Sequence, residues 1–276
     1  MIRVLLCYAR SGGTLFSKFI ASQKNVIFLS EVNPNHNAVD SPAQQVKNWY
    51  GWEIDDSLNY QNQVHAIYQK GQNENKELVI RDFSFIDFTP HKLNSFKPAG
   101  KFTILDAIQK IAPIKVLGFT RNAIDVWISR GCPPKFSEGY LKFGEELVKH
   151  NYPIVKYEDF CEKPESLLIE CSKLWDLPEF NFNPEFIYYS KVTGDNLLKN
   201  PSRGTKLEIV KPLKRKLIAP SLARIALADR NMQRANKLLG YPHIFDDFDS
   251  TKWQKIKREL ILQFKIILRR YPKDIY

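Results

Sequence analysis

The chain has 276 residues, 43% of them hydrophobic and 26% charged, with a net charge of +11. Such a profile belongs to a globular chain with ample core, and it excludes wholesale disorder, a collagen-like repeat and a polytopic membrane protein. Residues 251–276 hold eight Lys or Arg against Glu259 and Asp274, a net +6, which leaves +5 for the first 250 residues. That mild excess suits an anionic ligand, and the aromatics do not interleave with basic residues as in a nucleic-acid-binding module.

In chain order, Arg3 to Tyr8 is a short apolar run stopped by Ala9-Arg10-Ser11-Gly12-Gly13. It reads as a first strand, because it is too short for a signal peptide and meets Arg10 at once; the expected location is the cytoplasm. From Thr14 the spacing of Leu15, Phe16, Phe19 and Ile20 turns helical. Further strands are expected at 26–29, 78–80, 115–119 and 153–157. Helices are expected near 101–111, 123–130, 138–149 and 164–175, the last opening on Pro164 and stopping before Pro178. Strand and helix alternate over about 160 residues, which predicts an α/β fold with a mostly parallel central sheet flanked by helices.

Residues 33–75, rich in Asn and Gln, form an excursion of the kind that builds substrate contacts. Its Trp49, Tyr50 and Trp52 would either stack on a sugar ring or pack. After 200 the chain turns helical, with Leu222, Ile225, Ala226, Met232, Ala235, Leu238 and Leu239 lining one helix that Gly240 and Pro242 end. Residues 1–250 are read as one α/β domain and 251–276 as a basic amphipathic C-terminal helix. Cys7, Cys132, Cys161 and Cys171 lack CxxC spacing and are expected as free thiols. The five histidines never pair at i,i+4, so no metal site is expected.

Two constellations carry chemistry. In Arg10-Ser11-Gly12-Gly13-Thr14-Leu15, glycines let the backbone approach a ligand, and the following helix aims its N–H groups at an anion. The Walker pattern fails, because Gly13 stands where its lysine belongs. The second constellation is Arg121-Asn122-Ala123-Ile124-Asp125, continuing to Ser129. A guanidinium at a strand end forks two phosphate oxygens, and a serine two helical turns on adds a hydroxyl donor.

Together these motifs resemble the P-loop sulfotransferase family, bacterial type, whose phosphosulfate loop reads roughly [PK/PR]-S-G-[TS]-T. Arg121, Asp125 and Ser129 are similar to its RxPxDxxxS signature, with Ala123 where proline is common. Tyr157-Glu158-Asp159-Phe160 followed by Pro164-Glu165 is similar to a scaffold segment of that family. Asn236-Lys237-Leu238-Leu239-Gly240-Tyr241 resembles the helix end that closes many bacterial members. The resemblance covers residues 2–242 and implies a transferase using 3′-phosphoadenosine 5′-phosphosulfate (PAPS) as co-substrate, without a metal.

The resemblance implies residue roles as well. Arg10, Ser11, Gly12, Gly13, Thr14 and Leu15 would take the 5′-phosphosulfate, and Arg121 and Ser129 the 3′-phosphate. Ser202, Arg203 and Gly204 match a basic loop that closes over the donor nucleotide. Glu31, at the end of strand two, corresponds to the glutamate base of some branches, with His36 as runner-up. Arg81 would steady the sulfuryl oxygens, oriented by Asp82. The acceptor is a hydroxyl or amine on a carbohydrate, lipid or small molecule. The alternatives are a P-loop nucleotide kinase or NTPase, which would need magnesium, and a non-catalytic nucleotide-binding protein.

The tail has its own pattern. Trp253, Ile256, Leu260, Phe264, Ile267 and Leu268 recur at intervals of three and four among Lys and Arg. This stripe is expected to dock on the body, with pairing to another subunit or peripheral contact with an anionic membrane as the alternatives.

Overall fold

Every residue of β1 (Ile2–Cys7) is buried. Both faces of the sheet are covered, which is why the run reads as continuous rather than alternating hydrophobicity. β1 is the centre of five parallel strands in the order β2 (Val26–Val32), β3 (Glu77–Asp82), β1, β4 (Ile114–Thr120), β5 (Ile154–Lys156). The five predicted runs are these five strands. The computed structural model describes residues 1–35, 40–90, 97–192, 210–245 and 250–267.

Helix α1 (Gly13–Ala21) carries the chain from β1 to β2. The excursion after β2 supplies α2 (Pro42–Tyr50) and α3 (Tyr60–Asn73), and α4 (Phe85–Phe88) and α5 (Thr103–Ile108) lie between β3 and β4. α6 (Ala123–Ser129) and α7 (Phe136–Lys149) precede β5, while α8 (Tyr157–Glu162) and α9 (Pro164–Leu174) follow it. A 3-10 turn at Pro184–Tyr188 comes next, then α10 (Pro220–Ala228), α11 (Arg230–Leu238) and α12 (Lys252–Ile267).

Alternate strand residues feed two cores. Leu5, Cys7, Leu117 and Phe119 meet Phe16, Phe160 and Trp175 on one face, with Phe16 stacked on Phe119 at 4.6 Å. Val4, Leu6 and Tyr8 meet the α5, α6 and α7 side chains on the other. There Tyr8 makes edge contacts with Phe85, Phe136 and Tyr140 at 5.4, 5.9 and 5.0 Å. Such ring pairs add about 0.5–1.5 kcal/mol each beyond their buried area.

The excursion is folded tightly. Ser41 and Gln44 cap α2 reciprocally, and the Asn59 side chain caps α3. Trp52 is buried in the core and the Tyr50 hydroxyl accepts the Phe28 N–H at 3.0 Å. For Tyr50 and Trp52 packing is the alternative found, while Trp49 stays half-buried.

Two expectations change. The single helix expected over 222–239 is two, because Asp229 turns extended and its carboxylate accepts the N–H groups of Asn231 and Met232, starting α11 afresh. α12 does pack on α10, but not by Trp253, Ile256, Leu260 or Phe264 of its apolar stripe, whose Leu268 lies outside the described residues. The contact uses Leu262, Arg258 Nε donating to Ile218 O at 3.0 Å, and Glu259 accepting the Ser221 N–H at 3.2 Å. No side chain caps α10 at Ala219, so Glu259 satisfies a first-turn donor that would otherwise face water alone. Those polar anchors turn Trp253, Ile256, Leu260 and Phe264 outward.

Candidate active site

β1 and β4 are neighbours, with Cys7 opposite Phe119, so the loops that leave their C-terminal ends are adjacent. The connection after β1 leads toward β2 on one side of the sheet, and that after β4 leads toward β5 on the other. Ligands of open α/β sheets bind in the crevice at such a switch point. Both motifs found in the sequence lie there.

In the first loop, Arg10 and Gly12 take left-handed backbone angles, φ 73° and 94°. The Ser11 N–H bonds Tyr8 O at 3.2 Å, closing the turn. α1 then begins with no side-chain cap, which leaves its N-terminus to be met by an anion. Both glycines are required by space. A Cβ on Gly13 would lie 2.2 Å from Cys7 Sγ, and one on Gly12 would lie 2.3 Å from the Tyr157 ring. Ser11 is fully buried, and its hydroxyl has no hydrogen-bond partner among the described residues. Burial pushes the Cys7 thiol up to about 11 despite the nearby Arg81 guanidinium. All four cysteines are buried free thiols, as expected.

In the second loop, the Arg121 backbone is clamped by Tyr140, whose hydroxyl donates to Arg121 O and accepts its N–H. The guanidinium lies over the Tyr157 ring, 4.5 Å from its centre, and its Nε is buried without a hydrogen-bond partner among the described residues. Asn122 caps α6. Asn236, fully buried, accepts the Ala123 N–H at 2.8 Å, and the Tyr241 hydroxyl bonds that of Thr120 at 3.0 Å. The α11 end therefore braces the loop that carries Arg121.

The two loops touch. Arg10 Nε donates to Ser129 Oγ at 3.3 Å, across 119 positions of sequence. Tyr157, read in the sequence only as scaffold, supports Arg121 with its ring face and abuts Gly12. Its position at the end of β5 was the one available signal. Asp125 is held by Arg215 through two bonds of 2.9 Å. Arg215 lies in a stretch without a motif, and sequence reasoning missed it.

Glu31 and Arg81 are also brought together. Arg81 Nη2 donates to Glu31 Oε1 at 2.7 Å, and Nη1 lies 3.5 Å from the hydroxyls of Thr14 and Ser17. The register of β2 shifts between Leu29 and Val32, and Glu31 takes φ 56°. This bulge re-aims its side chain. The expected Arg81–Asp82 arrangement is absent, because successive strand residues face opposite ways. Asp82 is on the other face, accepting from Asn33 Nδ2 at 2.8 Å, and the same amide reaches Asp87 at 3.3 Å. Burial pushes the Asp82 carboxyl well up, and Asp87 adds to it; burial raises Asp87 as well.

A cavity of about 340 Å³ lies on the Asp82 side of the sheet, lined by residues that include Asn33, Asp40, Ser41, Gln44, Tyr60 and Gln63 but not by Glu31 or Arg81. His36, Ser202, Arg203 and Gly204 lie outside the described residues. Among the described residues, no group of three or more His, Cys, Asp or Glu is placed to hold a metal ion, and no helix is long and apolar enough to cross a membrane.

No family model matches the chain, and no curated protein matches it by sequence. Its structure is similar to the sulfotransferase domain from the curacin biosynthetic pathway, with TM-score 0.53 and 17% identity over 87% of this chain and 98% of that one. Lower similarity extends to the sulfotransferase domain of the Synechococcus PCC 7002 olefin synthase, at TM-score 0.48 and 13% identity over 95% and 94% of the two chains. A mouse sulfotransferase complexed with PAP follows, at TM-score 0.39 and 12% identity over 97% and 84%. The chain has the sulfotransferase fold, a parallel α/β sheet flanked by helices.

Proposed function

We propose that this protein transfers a sulfuryl group from PAPS to an acceptor hydroxyl. The observation that carries the reading is the junction of two cationic loops, Arg10 with Ser129 and Arg121 on Tyr157, at the C-terminal ends of adjacent strands in a sulfotransferase fold. The fit to a nucleotide with two phosphate groups rests on the buried Ser11 hydroxyl and Arg121 Nε, both without hydrogen-bond partners among the described residues, and on the uncapped start of α1. Buried polar atoms of that kind are costly unless a ligand meets them.

When bound, PAPS supplies an activated sulfuryl group on a phosphate leaving group. Arg10, the Ser11 hydroxyl and the first N–H groups of α1 would hold the 5′-phosphosulfate and offset charge on the departing phosphate. Arg121 and Ser129 would hold the 3′-phosphate. Arg81 would bind sulfuryl oxygens, and Glu31 would take the acceptor proton as the new S–O bond forms. Positioning and preorganised charge supply the catalysis.

The test is calorimetry with adenosine 3′,5′-bisphosphate, the donor product. It should bind without a divalent metal. Arg121→Ala should weaken binding by about 2–4 kcal/mol, as for one partner removed from a buried charged contact. Ser129→Ala should cost about 1 kcal/mol, as for a neutral donor. Binding only with magnesium, a preference for ATP, or two silent substitutions would overturn the assignment.

A further inference from the structure

We infer that α12 is a membrane-surface anchor, and that its outward face binds an anionic lipid bilayer. At 100° per residue, Trp253, Ile256, Leu260 and Phe264 fall within an arc of about 80°. They are 79%, 39%, 65% and 63% exposed. On the opposite side lies Leu262, 7% exposed, flanked by the Arg258 and Glu259 contacts to the body. The helix is thus held by its narrow side and shows its broad apolar side to solvent. Soluble monomers rarely leave so contiguous an apolar face uncovered.

Charge selects the occupant. α12 carries Lys252, Lys255, Lys257, Arg258 and Lys265 against Glu259 alone, and Lys252, Lys257 and Lys265 are exposed. A second copy of the chain would set one cationic rim against another, which opposes self-association through this face. An anionic bilayer reverses that sign. Its headgroup boundary accepts Trp, Leu and Phe while its phosphates meet the lysines. α12 has sixteen residues and does not qualify as a membrane span, so it would lie in the plane of the surface.

The experiment is co-sedimentation of the full chain with phosphatidylcholine vesicles, with and without about one-third phosphatidylserine. Binding should require the anionic lipid and weaken at least about tenfold in high salt, because surface charge is screened. Emission from Trp253 should shift to the blue on vesicles, a change missing in Trp253→Phe. Leu260→Ser combined with Phe264→Ser should lose binding at least about tenfold, since it removes two of the four apolar side chains of the stripe. Both positions are exposed and outside the active site, so thermal unfolding and adenosine 3′,5′-bisphosphate affinity should stay unchanged. That nucleotide control separates failure of the anchor from failure of the proposed activity. The inference is overturned if the wild type ignores anionic vesicles at low salt, binds neutral ones equally, or binds no better than the double variant. It is equally overturned if vesicles are ignored and the double variant instead dissolves a stable oligomer, which would make this face a protein interface.

Discussion

Glu31 and Arg81 form an ion pair with side chains 13% and 5% exposed, so each substitution at one acts on the other. Glu31→Ala would leave a buried guanidinium uncompensated, at a cost of about 3–5 kcal/mol, and would report folding rather than chemistry. Glu31→Gln keeps an oxygen to accept from Arg81 and fills the same space, while it removes the carboxylate charge and with it the capacity to take a proton. It should therefore spare both the fold and the affinity for adenosine 3′,5′-bisphosphate, while kcat falls about 10²–10⁴-fold, the range for a lost general base. Single-turnover kinetics beside calorimetry would check this. Unchanged turnover would reduce Glu31 to a positioning partner of Arg81, and a loss that tracks nucleotide affinity would move it onto the donor. The bulge in β2 matters here, because without it strand alternation alone would set where Glu31 points.

At the scale of elements, the end of β3 divides two chemistries. Arg81 serves the loop that begins α1, and Asp82 enters a buried network with Asn33, Asp87 and Thr103, whose hydroxyl bonds Asp87 at 2.9 Å. Two carboxyls sharing one amide are both raised, chiefly by burial. In the unfolded chain they titrate near the ordinary value of about 3.9. Above that pH the unfolded state has released protons that the folded state keeps, so this network costs stability as pH rises. Asp82→Asn should then gain stability over the wild type at about pH 8 and lose the advantage below about pH 4. Urea midpoints across that range would read it, and a difference independent of pH would show that the charge is not what the site resists. Neither the network nor the bulge was legible in the sequence, since both depend on register between strands distant along the chain. The strands themselves were legible, because burial on both faces writes an uninterrupted apolar run. The Gly12–Gly13 turn was legible for a related reason, as no Cβ fits between Tyr157 and Cys7. Tyr157 was not, because its role is a contact with two other loops rather than a local pattern. The break at Asp229 was hidden by helical periodicity continuing across a capping residue, although the cap itself is an ordinary aspartate signal.

For the molecule as a whole, the question is whether α12 belongs to the domain or is carried by it. Its stripe has the spacing of a docking face, and sequence reasoning assigned it to the body. The structure instead gives the body one buried side chain, Leu262, with the Arg258 bond to Ile218 O and the Glu259 bond to the Ser221 N–H. Burying a leucine contributes about 1.5–3 kcal/mol and each hydrogen bond about 1 kcal/mol net. Removing residues 251–276 also takes a net charge of +6 from a chain of +11, which lowers self-repulsion. A chain ending at Ser250 should therefore fold, bind adenosine 3′,5′-bisphosphate as the full chain does, and unfold no more than about 20 °C lower, at 2–4 °C per kcal/mol for this size. Scanning calorimetry and nucleotide titration of the truncated chain would measure both. An insoluble or unfolded product would mean that α12 closes the core under α10, and the division at residue 250 would fall.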